Sequence, residues 1–324
     1  MSKILSLKEY ENGILRGNRV ALGQAITLIE SSRPQDRIKA ENLIGKLAGK
    51  TSQSIRIGIT GVPGVGKSTF IEVFGKYLTS MNKKVAVLAV DPSSQKTKGS
   101  ILGDKTRMEE LSKDERAFIR PTSTGSALGG VANATRQTIL LCEAAGYDVI
   151  LVETVGVGQS EVAVRGMVDF FLLLMLTGAG DELQGIKKGI MEMADGMVIT
   201  KADGENIKKA KLAQAEFQHA LHWFQTPESG WTPKVLTASA FAKTGIKEIW
   251  ELIGSFEQLV RSNGFLQQQR NRQRVDWFHQ SLDALIKEQI TKRSKTSLIS
   301  LEKKILANQL SPTQAAREFF KKIR

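Results

Sequence analysis

A glycine-rich segment early in the chain has the residue types and spacing of a phosphate-binding loop. It fits the pattern G-x-x-x-x-G-K-[ST], follows an apolar run at 55–60 and precedes a helix-compatible stretch. Glycines here let successive backbone N–H groups point at phosphate oxygens, and the following helix N-terminus adds its positive dipole end. We expect Lys67 to reach the β- and γ-phosphates and Ser68 to bind Mg²⁺. The predicted loop consists of Gly61, Val62, Pro63, Gly64, Val65, Gly66, Lys67 and Ser68.

A second motif, Thr200-Lys201-Ala202-Asp203, follows another strand-like run and predicts which base is bound. The Asp203 carboxylate can accept hydrogen bonds from N1–H and the 2-amino group of guanine. Adenine lacks this pair of donors and would leave a buried carboxylate unpaired, at a cost on the order of 1–3 kcal/mol. Ser239 and Ala240, after the next strand, can support the guanine from behind. The sequence therefore predicts GTP rather than ATP.

Three acidic residues stand at strand ends or in loops near the expected phosphate edge of the sheet: Asp91, Asp104 and Glu153. Carboxylates beside a Mg²⁺-nucleotide orient the ion, its water ligands or the attacking water. We therefore predict all three as metal-binding and catalytic residues, together with Lys67. Gly156 fits the place where a backbone N–H meets the γ-phosphate, so the segment after it would respond to hydrolysis.

The elements that must position these residues alternate between strand-like runs and helix-compatible stretches over residues 51–262. This alternation predicts an α/β P-loop domain with a mostly parallel central sheet flanked by helices. Residues 1–50 carry apolar residues at helical spacing and predict an N-terminal helical extension. Residues 263–324 lack strand-like runs and predict a C-terminal helical arm, with Val275, Phe278, Leu282 and Leu285 as its apolar seam. The predicted strands are Ile55–Thr60, Val85–Val90, Val149–Val152, Phe170–Leu176, Met197–Thr200 and Val235–Thr237.

The formal net charge is +13, and most of the excess lies near the C-terminus. From Arg261 onward 14 Lys and Arg stand against 5 Asp and Glu, which gives 14 − 5 = +9. A solvated helix face is the commonest explanation of such a basic tail. The single Cys142 allows no internal disulfide, and no targeting segment or long apolar run is visible. We expect a cytoplasmic protein that binds neither nucleic acid nor membrane.

Several longer strings resemble one family over nearly the whole chain. The family is that of the methylmalonyl-CoA mutase-associated GTPases, the MeaB and ArgK group, which belongs to the SIMIBI class of P-loop GTPases. The long strings are more specific than the phosphate-binding loop alone, which many unrelated nucleotide-binding proteins share. They span Ala89–Ser94, Gly99–Met108, Gly146–Asp148, Glu153–Glu161 and Gly180–Lys187.

The resemblance implies a GTP-hydrolysing chaperone that uses Mg²⁺ and forms a homodimer through its C-terminal arm. It also implies association with adenosylcobalamin-dependent methylmalonyl-CoA mutase, where the chaperone gates cofactor loading and protects or reactivates the enzyme. By the same resemblance, Thr69 joins the phosphate site, Phe241 joins the guanine site, and Thr200 stands where many members have Asn. The residues that match the family's additional switch loop, which faces the mutase, are Asp181, Glu182, Gln184, Lys187 and Lys188.

Two other functions remain open from the sequence. One is a nucleotide-dependent kinase or ATPase acting with lysine, arginine and ornithine transport, an older description of this family; Asp203 argues against it, because ATP would not satisfy that carboxylate. The other is a GTPase metallochaperone for a different metalloenzyme, such as a nickel-dependent hydrogenase or urease. Nickel-inserting relatives normally carry histidine-rich tracts or paired cysteines, whereas this chain has 3 His and 1 Cys.

Overall fold

The computed structural model describes residues 5–50, 53–90, 108–121, 128–154, 160–178, 188–221, 223–224 and 227–322. The chain divides into two compact units, Met1–Asn271 and Arg272–Arg324. Among the described helices, none is both long enough and apolar enough to cross a bilayer.

A seven-stranded sheet forms the centre of the first unit, and every strand pairing in it is parallel. The strand order β3-β2-β4-β1-β5-β6-β7 places β1 in the middle, between β4 and β5. The predicted α/β fold with a mostly parallel sheet is confirmed. The strands are β1 (Ile55–Gly61), β2 (Val85–Val90), β3 (Ala117–Pro121), β4 (Val149–Thr154), β5 (Phe170–Met175), β6 (Gly196–Ile199) and β7 (Lys234–Thr237).

Strand β3 was not among the predicted strands. Its five residues, Ala-Phe-Ile-Arg-Pro, contain only a short apolar run, and a proline usually argues against a strand. The structure accommodates Pro121 because β3 lies at the edge of the sheet, where one side of the strand needs no ladder hydrogen bonds.

Helices precede, cover and follow the sheet. Those of the first unit are α1 (Leu7–Leu15), α2 (Arg19–Glu30), α3 (Pro34–Leu47), α4 (Lys67–Ser80), α5 (Glu109–Ser112), α6 (Leu128–Ala144), α7 (Ser160–Arg165), α8 (Lys188–Glu192), α9 (Ile207–Leu221) and α10 (Ile246–Ser262), with a 3₁₀ turn at Gly204–Asn206. The chain continues through α11 (Phe265–Arg293), α12 (Lys295–Leu306) and α13 (Pro312–Lys322).

Alternate residues of each inner strand point to opposite faces, and both faces are buried. In β2, Val85 and Val87 belong to the buried cluster that also contains residues of α4 and α10, whereas Ala86 and Leu88 belong to the cluster that contains residues of α2, α3 and α6. A strand covered on both sides needs apolar residues at every position, which is why these strands read as unbroken apolar runs. The N-terminal helices thus contribute to the same buried cluster as the sheet.

The second unit contains helical structure throughout its described part. Ser311 caps α13: its hydroxyl accepts from the Gln314 N–H at 3.3 Å, and its own N–H donates to the Gln314 side chain at 3.0 Å. Leu301 and Ala315 are buried here. The predicted seam of α11 is helical, yet Val275 and Phe278 remain 55% and 60% exposed. Leu282 and Leu285 are also exposed, so the described part of the second unit does not bury this apolar stripe.

Candidate nucleotide-binding site

The glycine-rich segment forms the turn between the end of β1 and the start of α4. Gly61 passes so close to β5 that a Cβ atom there would lie 2.5 Å from the Leu174 carbonyl oxygen. Gly66 precedes α4 in a left-handed conformation (φ 91°), which residues with a side chain rarely adopt. The turn therefore delivers the unpaired N–H groups of the α4 N-terminus to the carboxyl end of β1. This is the arrangement that binds phosphate.

The Lys67 ammonium folds back over this turn. Its Nζ donates to the Gly61 carbonyl at 2.7 Å and to the Val62 carbonyl at 3.5 Å. Burial lowers the pKa of Lys67, and the nearby Glu153 and Glu161 carboxylates oppose that change. A half-buried cation held mainly by backbone carbonyls can exchange those contacts for phosphate oxygens.

Ser68 and Glu153 meet beside the loop. Glu153 lies in β4, paired with Ile59 of β1, and its Oε1 accepts a hydrogen bond from the Ser68 hydroxyl at 3.2 Å. A hydroxyl and a carboxylate oxygen at this distance are the hard ligands that Mg²⁺ prefers. The residues present therefore fit a magnesium ion at this position.

The other predicted metal and catalytic residues, Asp91, Asp104 and Gly156, lie outside the described residues. The described strands still indicate where two of their segments begin. Val90 and Thr154 are paired neighbours at the ends of β2 and β4. Both strands thus end at the carboxyl end of the sheet, where the phosphate-binding turn also lies.

The predicted base-recognition residues come together from two loops. Ser239 is fully buried, donates its hydroxyl hydrogen to Asp203 Oδ2 and accepts from the Ala242 N–H at 2.9 Å. This fixes one carboxylate oxygen of Asp203. Among the described residues nothing hydrogen-bonds to the other oxygen, Oδ1, which leaves an acceptor for a ligand.

A pocket of about 210 Å³ extends from the phosphate-binding turn to these loops. Thr200 lies between the two ends of the pocket, and its hydroxyl oxygen is 2.8 Å from the Val65 carbonyl oxygen and 3.2 Å from the Met175 carbonyl oxygen, so its one hydrogen can be donated to either. Phe241 stands at the pocket with its side chain 91% exposed. The pocket is lined by Val65, Gly66, Thr69, Phe70, Thr200, Lys201, Asp203, Ala238, Ala240 and Phe241.

The family model for the methylmalonyl-CoA mutase-associated GTPase MeaB matches residues 22–296. The chain belongs to this family. A phosphate-binding turn between the first strand and the helix that follows it is what a P-loop GTPase requires, and the chain is a GTPase of this kind.

Known relatives agree with that assignment. The GTPase ArgK of Escherichia coli is 48% identical over 278 residues, covering 86% of this chain and 84% of the relative. A mouse protein named methylmalonic aciduria type A homolog, mitochondrial, is 46% identical over 94% of this chain and 76% of its own length. A crystal structure of a LAO/AO transport system kinase is 38% identical, covers 99% of both chains and superposes with a TM-score of 0.78.

Some residues of this MeaB-family site escaped the sequence reasoning. Glu161, near the start of α7, is buried and close enough to Lys67 to influence its pKa. Phe70 and Ala238 line the pocket through contacts that only the fold creates. Glu161 stands within a string that was already singled out, but nothing in its spacing indicates where its side chain lies.

The predicted switch-loop residues are placed only in part. Asp181, Glu182, Gln184 and Lys187 lie outside the described residues, and Lys188 is the first residue of α8.

His219 contacts the Trp223 ring edge to face, with 6.2 Å between ring centroids. Within the described ranges no three His, Cys, Asp or Glu side chains gather as a metal-binding group.

Proposed function

We propose that this GTPase is a chaperone of adenosylcobalamin-dependent methylmalonyl-CoA mutase, which gates cofactor loading and protects or reactivates the enzyme. The observation that carries the nucleotide part is the Asp203–Ser239 pair at one end of the pocket and the Lys67 turn at the other. The partner is inferred from the family description and from the name of the mouse relative.

In the nucleotide complex, Gly61 to Thr69 hold the phosphates, with Lys67 replacing its carbonyl contacts by β- and γ-phosphate oxygens. Asp203 Oδ1 accepts from guanine while Ser239 holds Oδ2, and the exposed Phe241 ring covers the base. Fixing the carboxylate before the base arrives reduces the ordering cost of binding.

A bound Mg²⁺ supplies positive charge to the β- and γ-phosphates, and Ser68 with Glu153 fits its ligand set. Asp91 and Asp104 complete the proposed metal and catalytic residues. Gly156 provides the N–H expected to meet the γ-phosphate, and residues 181–188 form the proposed partner-facing switch.

The assembly we propose is a cytoplasmic homodimer formed through the C-terminal arm, residues 263–324. Its support is the exposed apolar stripe of α11, whose Val275, Phe278 and Leu285 are each more than half exposed in the single chain. Burying such a stripe against a second copy removes apolar surface from water, at about 25 cal/mol per Å².

The experiment that tests this function is calorimetric titration with GDP, a GTP analogue and an ATP analogue, each with Mg²⁺, with and without methylmalonyl-CoA mutase. We expect guanine-selective binding that the mutase strengthens, together with GTP hydrolysis that the mutase accelerates. If guanine nucleotides bind equally well with and without the mutase, the GTPase assignment stands and the mutase is rejected as the partner. Selectivity for ATP would reject both and favour a transport kinase, the function for which the similar crystal structure is named.

The matched control is Asp203→Asn in the same titrations. It alters the base contact and leaves the C-terminal arm and residues 181–188 unchanged. If the mutase is the partner, a nucleotide-dependent complex with it still forms at guanine-nucleotide concentrations high enough to saturate the variant.

A further inference from the structure

The loop that carries the proposed guanine-recognition residues contains an uncommon backbone conformation. Lys201, which lines the pocket together with Asp203, has a φ of 56°. Residues with a side chain seldom adopt this left-handed conformation, and they keep it only where surrounding contacts fix it. The N–H of Ala202 donates to the Ala238 carbonyl at 3.1 Å, which holds the nitrogen side of the peptide that joins Lys201 to Ala202. The contact that holds the oxygen side of this peptide comes from Asn206.

Asn206 fastens the loop at both of its ends. Its side-chain Nδ2 donates to the Lys201 carbonyl at 2.7 Å, and its main-chain N–H donates to the Asp203 carbonyl at 3.0 Å. A carbonyl oxygen only accepts, so the amide nitrogen and not the amide oxygen must face Lys201. Asn206 is not one of the described residues that line the pocket. It therefore contacts the two residues that flank Ala202 from outside the pocket.

Thr177 orients the Asn206 amide. Thr177 lies two residues after the end of β5, and its hydroxyl donates to Asn206 Oδ1 at 2.9 Å. The amide oxygen only accepts, so the hydroxyl must be the donor. Because the amide group is planar, fixing Oδ1 also directs Nδ2 toward the Lys201 carbonyl. The loop is thus tied through Asn206 to the end of a central strand.

We propose that Asn206 is a positioning residue for guanine recognition, which holds the main chain at Lys201 and Asp203 so that the Asp203 carboxylate meets the base. Ser239 fixes one oxygen of this carboxylate, whereas Asn206 fixes the backbone that carries it. A loop that is ordered before the nucleotide arrives loses less conformational freedom on binding. This inference rests on the proposed recognition of guanine by Asp203 and does not depend on the mutase.

The test measures the affinities of GDP, ADP and inorganic pyrophosphate for Asn206→Ala and Asn206→Asp by calorimetry with Mg²⁺, well below the melting temperature. Asn206→Ala should weaken GDP binding by about tenfold and lower the ratio of GDP to ADP affinity. Pyrophosphate affinity should stay within about twofold, because pyrophosphate has no base to contact the loop. A carboxylate cannot donate to the Lys201 carbonyl, so Asn206→Asp should lose at least as much GDP affinity as Asn206→Ala.

The matched control is Glu205→Ala, the exposed neighbour of Asn206 in the same 3₁₀ turn, which should leave all three affinities unchanged. A second pair of variants acts on the orientation of the amide and carries the test if Asn206→Ala does not fold. Thr177→Val removes the hydroxyl donor and should weaken GDP binding by about threefold, whereas Thr177→Ser keeps the donor and should stay within about twofold.

Two results would overturn the inference. If Asn206→Ala melts earlier but keeps the GDP to pyrophosphate and GDP to ADP affinity ratios of the unaltered protein, Asn206 only stabilises the fold. If Asn206→Asp binds GDP as tightly as the unaltered protein, the donated hydrogen bond does not position the loop.

Failure of the proposed guanine recognition gives a different pattern. In that case Asp203→Asn leaves the GDP to ADP ratio unchanged. If Asp203→Asn lowers this ratio and Asn206→Ala does not, guanine recognition by Asp203 stands and only the role of Asn206 is rejected.

Discussion

The two ends of the central sheet both hold buried charged side chains, but they satisfy them in different ways. At the amino end, Glu143 accepts from Arg56 at 2.8 and 2.9 Å, and Asp169 accepts from Arg270 at 2.6 and 2.8 Å. The Ser54 hydroxyl donates to the same Glu143. Each of these charges has a protein partner of opposite sign.

At the carboxyl end the charged groups hydrogen-bond to neutral atoms. Lys67 is held by two backbone carbonyls, and Glu153 and Asp203 each accept from a serine hydroxyl. A ligand can replace such contacts without leaving a buried charge uncompensated. Losing one partner at the amino end would therefore leave a buried charge unpaired, whereas each hydrogen bond described at the carboxyl end joins a charge to a neutral group.

The most severe variant concerns the amino end. Glu143→Ala removes a fully buried carboxylate and leaves Arg56 and Arg270 without it, so the free energy of unfolding should fall by about 3–5 kcal/mol. Urea denaturation measures this loss. GDP affinity of the folded fraction should stay within about twofold of the unaltered protein. A larger drop would contradict the proposal that charges at the amino end of the sheet act on stability and not on nucleotide binding.

The control for that variant is Glu251→Ala, which removes an exposed i,i+4 pair with Lys247. Its effect on unfolding should be below about 1 kcal/mol.

The next variant concerns the carboxyl end. Lys67→Ala should weaken binding of GDP and of a GTP analogue by about 100-fold, or about 2.7 kcal/mol, because the cation facing the phosphates is lost. Thermal stability without nucleotide should be unchanged or higher, since a partly desolvated ammonium is removed. Calorimetry and thermal melts check both, with exposed Lys247→Ala as the matched lysine. A large loss of stability would instead show that Lys67 stabilises the fold, as the charges at the amino end do.

A smaller effect concerns the choice of base. Asp203→Asn should shift the ratio of GDP to ADP affinity toward ADP by about 1–3 kcal/mol, because the acceptor for the guanine donors is weakened. Competition titrations with both nucleotides measure the ratio. The exposed neighbour Glu205→Gln should leave it unchanged. An unaltered ratio in Asp203→Asn would contradict guanine recognition by this carboxylate.

The smallest expected effect is the pH dependence of stability that comes from Asp114, a carboxylate hydrogen-bonded by side chains of α4. Hydrogen bonding from Lys76, aided by the Arg116 N–H and Thr79, lowers the pKa of Asp114 to about 2. Because an unfolded Asp titrates at about 3.9, this contribution to stability is present above about pH 4 and is lost as the pH falls toward about 2. Lys76 is half exposed, so water screens the pair and the contribution is about 1 kcal/mol.

Asp114→Asn should therefore narrow the stability difference between neutral and acidic pH relative to the unaltered protein. Urea denaturation of both proteins at several pH values measures this difference. Equal pH profiles for the two proteins would show that Asp114 contributes nothing to it.

The sequence predicted the parallel sheet because strands buried on both faces leave unbroken apolar runs, as in Val85–Val90 and Phe170–Met175. It missed β3, whose edge position needs fewer apolar residues and tolerates Pro121. The roles predicted for Lys67, Ser68 and Asp203 rest on spacing, because each motif directly follows a strand in the chain. Glu161 and the contact between Thr200 and Val65 join segments far apart in sequence, which spacing cannot relate.

Residue patterns alone were enough to identify the family, the fold class and six of the seven strands of the described sheet, since each strand depends on residues that are close along the chain. Only the tertiary structure decided which charges pair with each other and which meet neutral groups. The reason is geometric: Ser68 of α4 and Glu153 of β4 meet only because the parallel strands bring their carboxyl ends together.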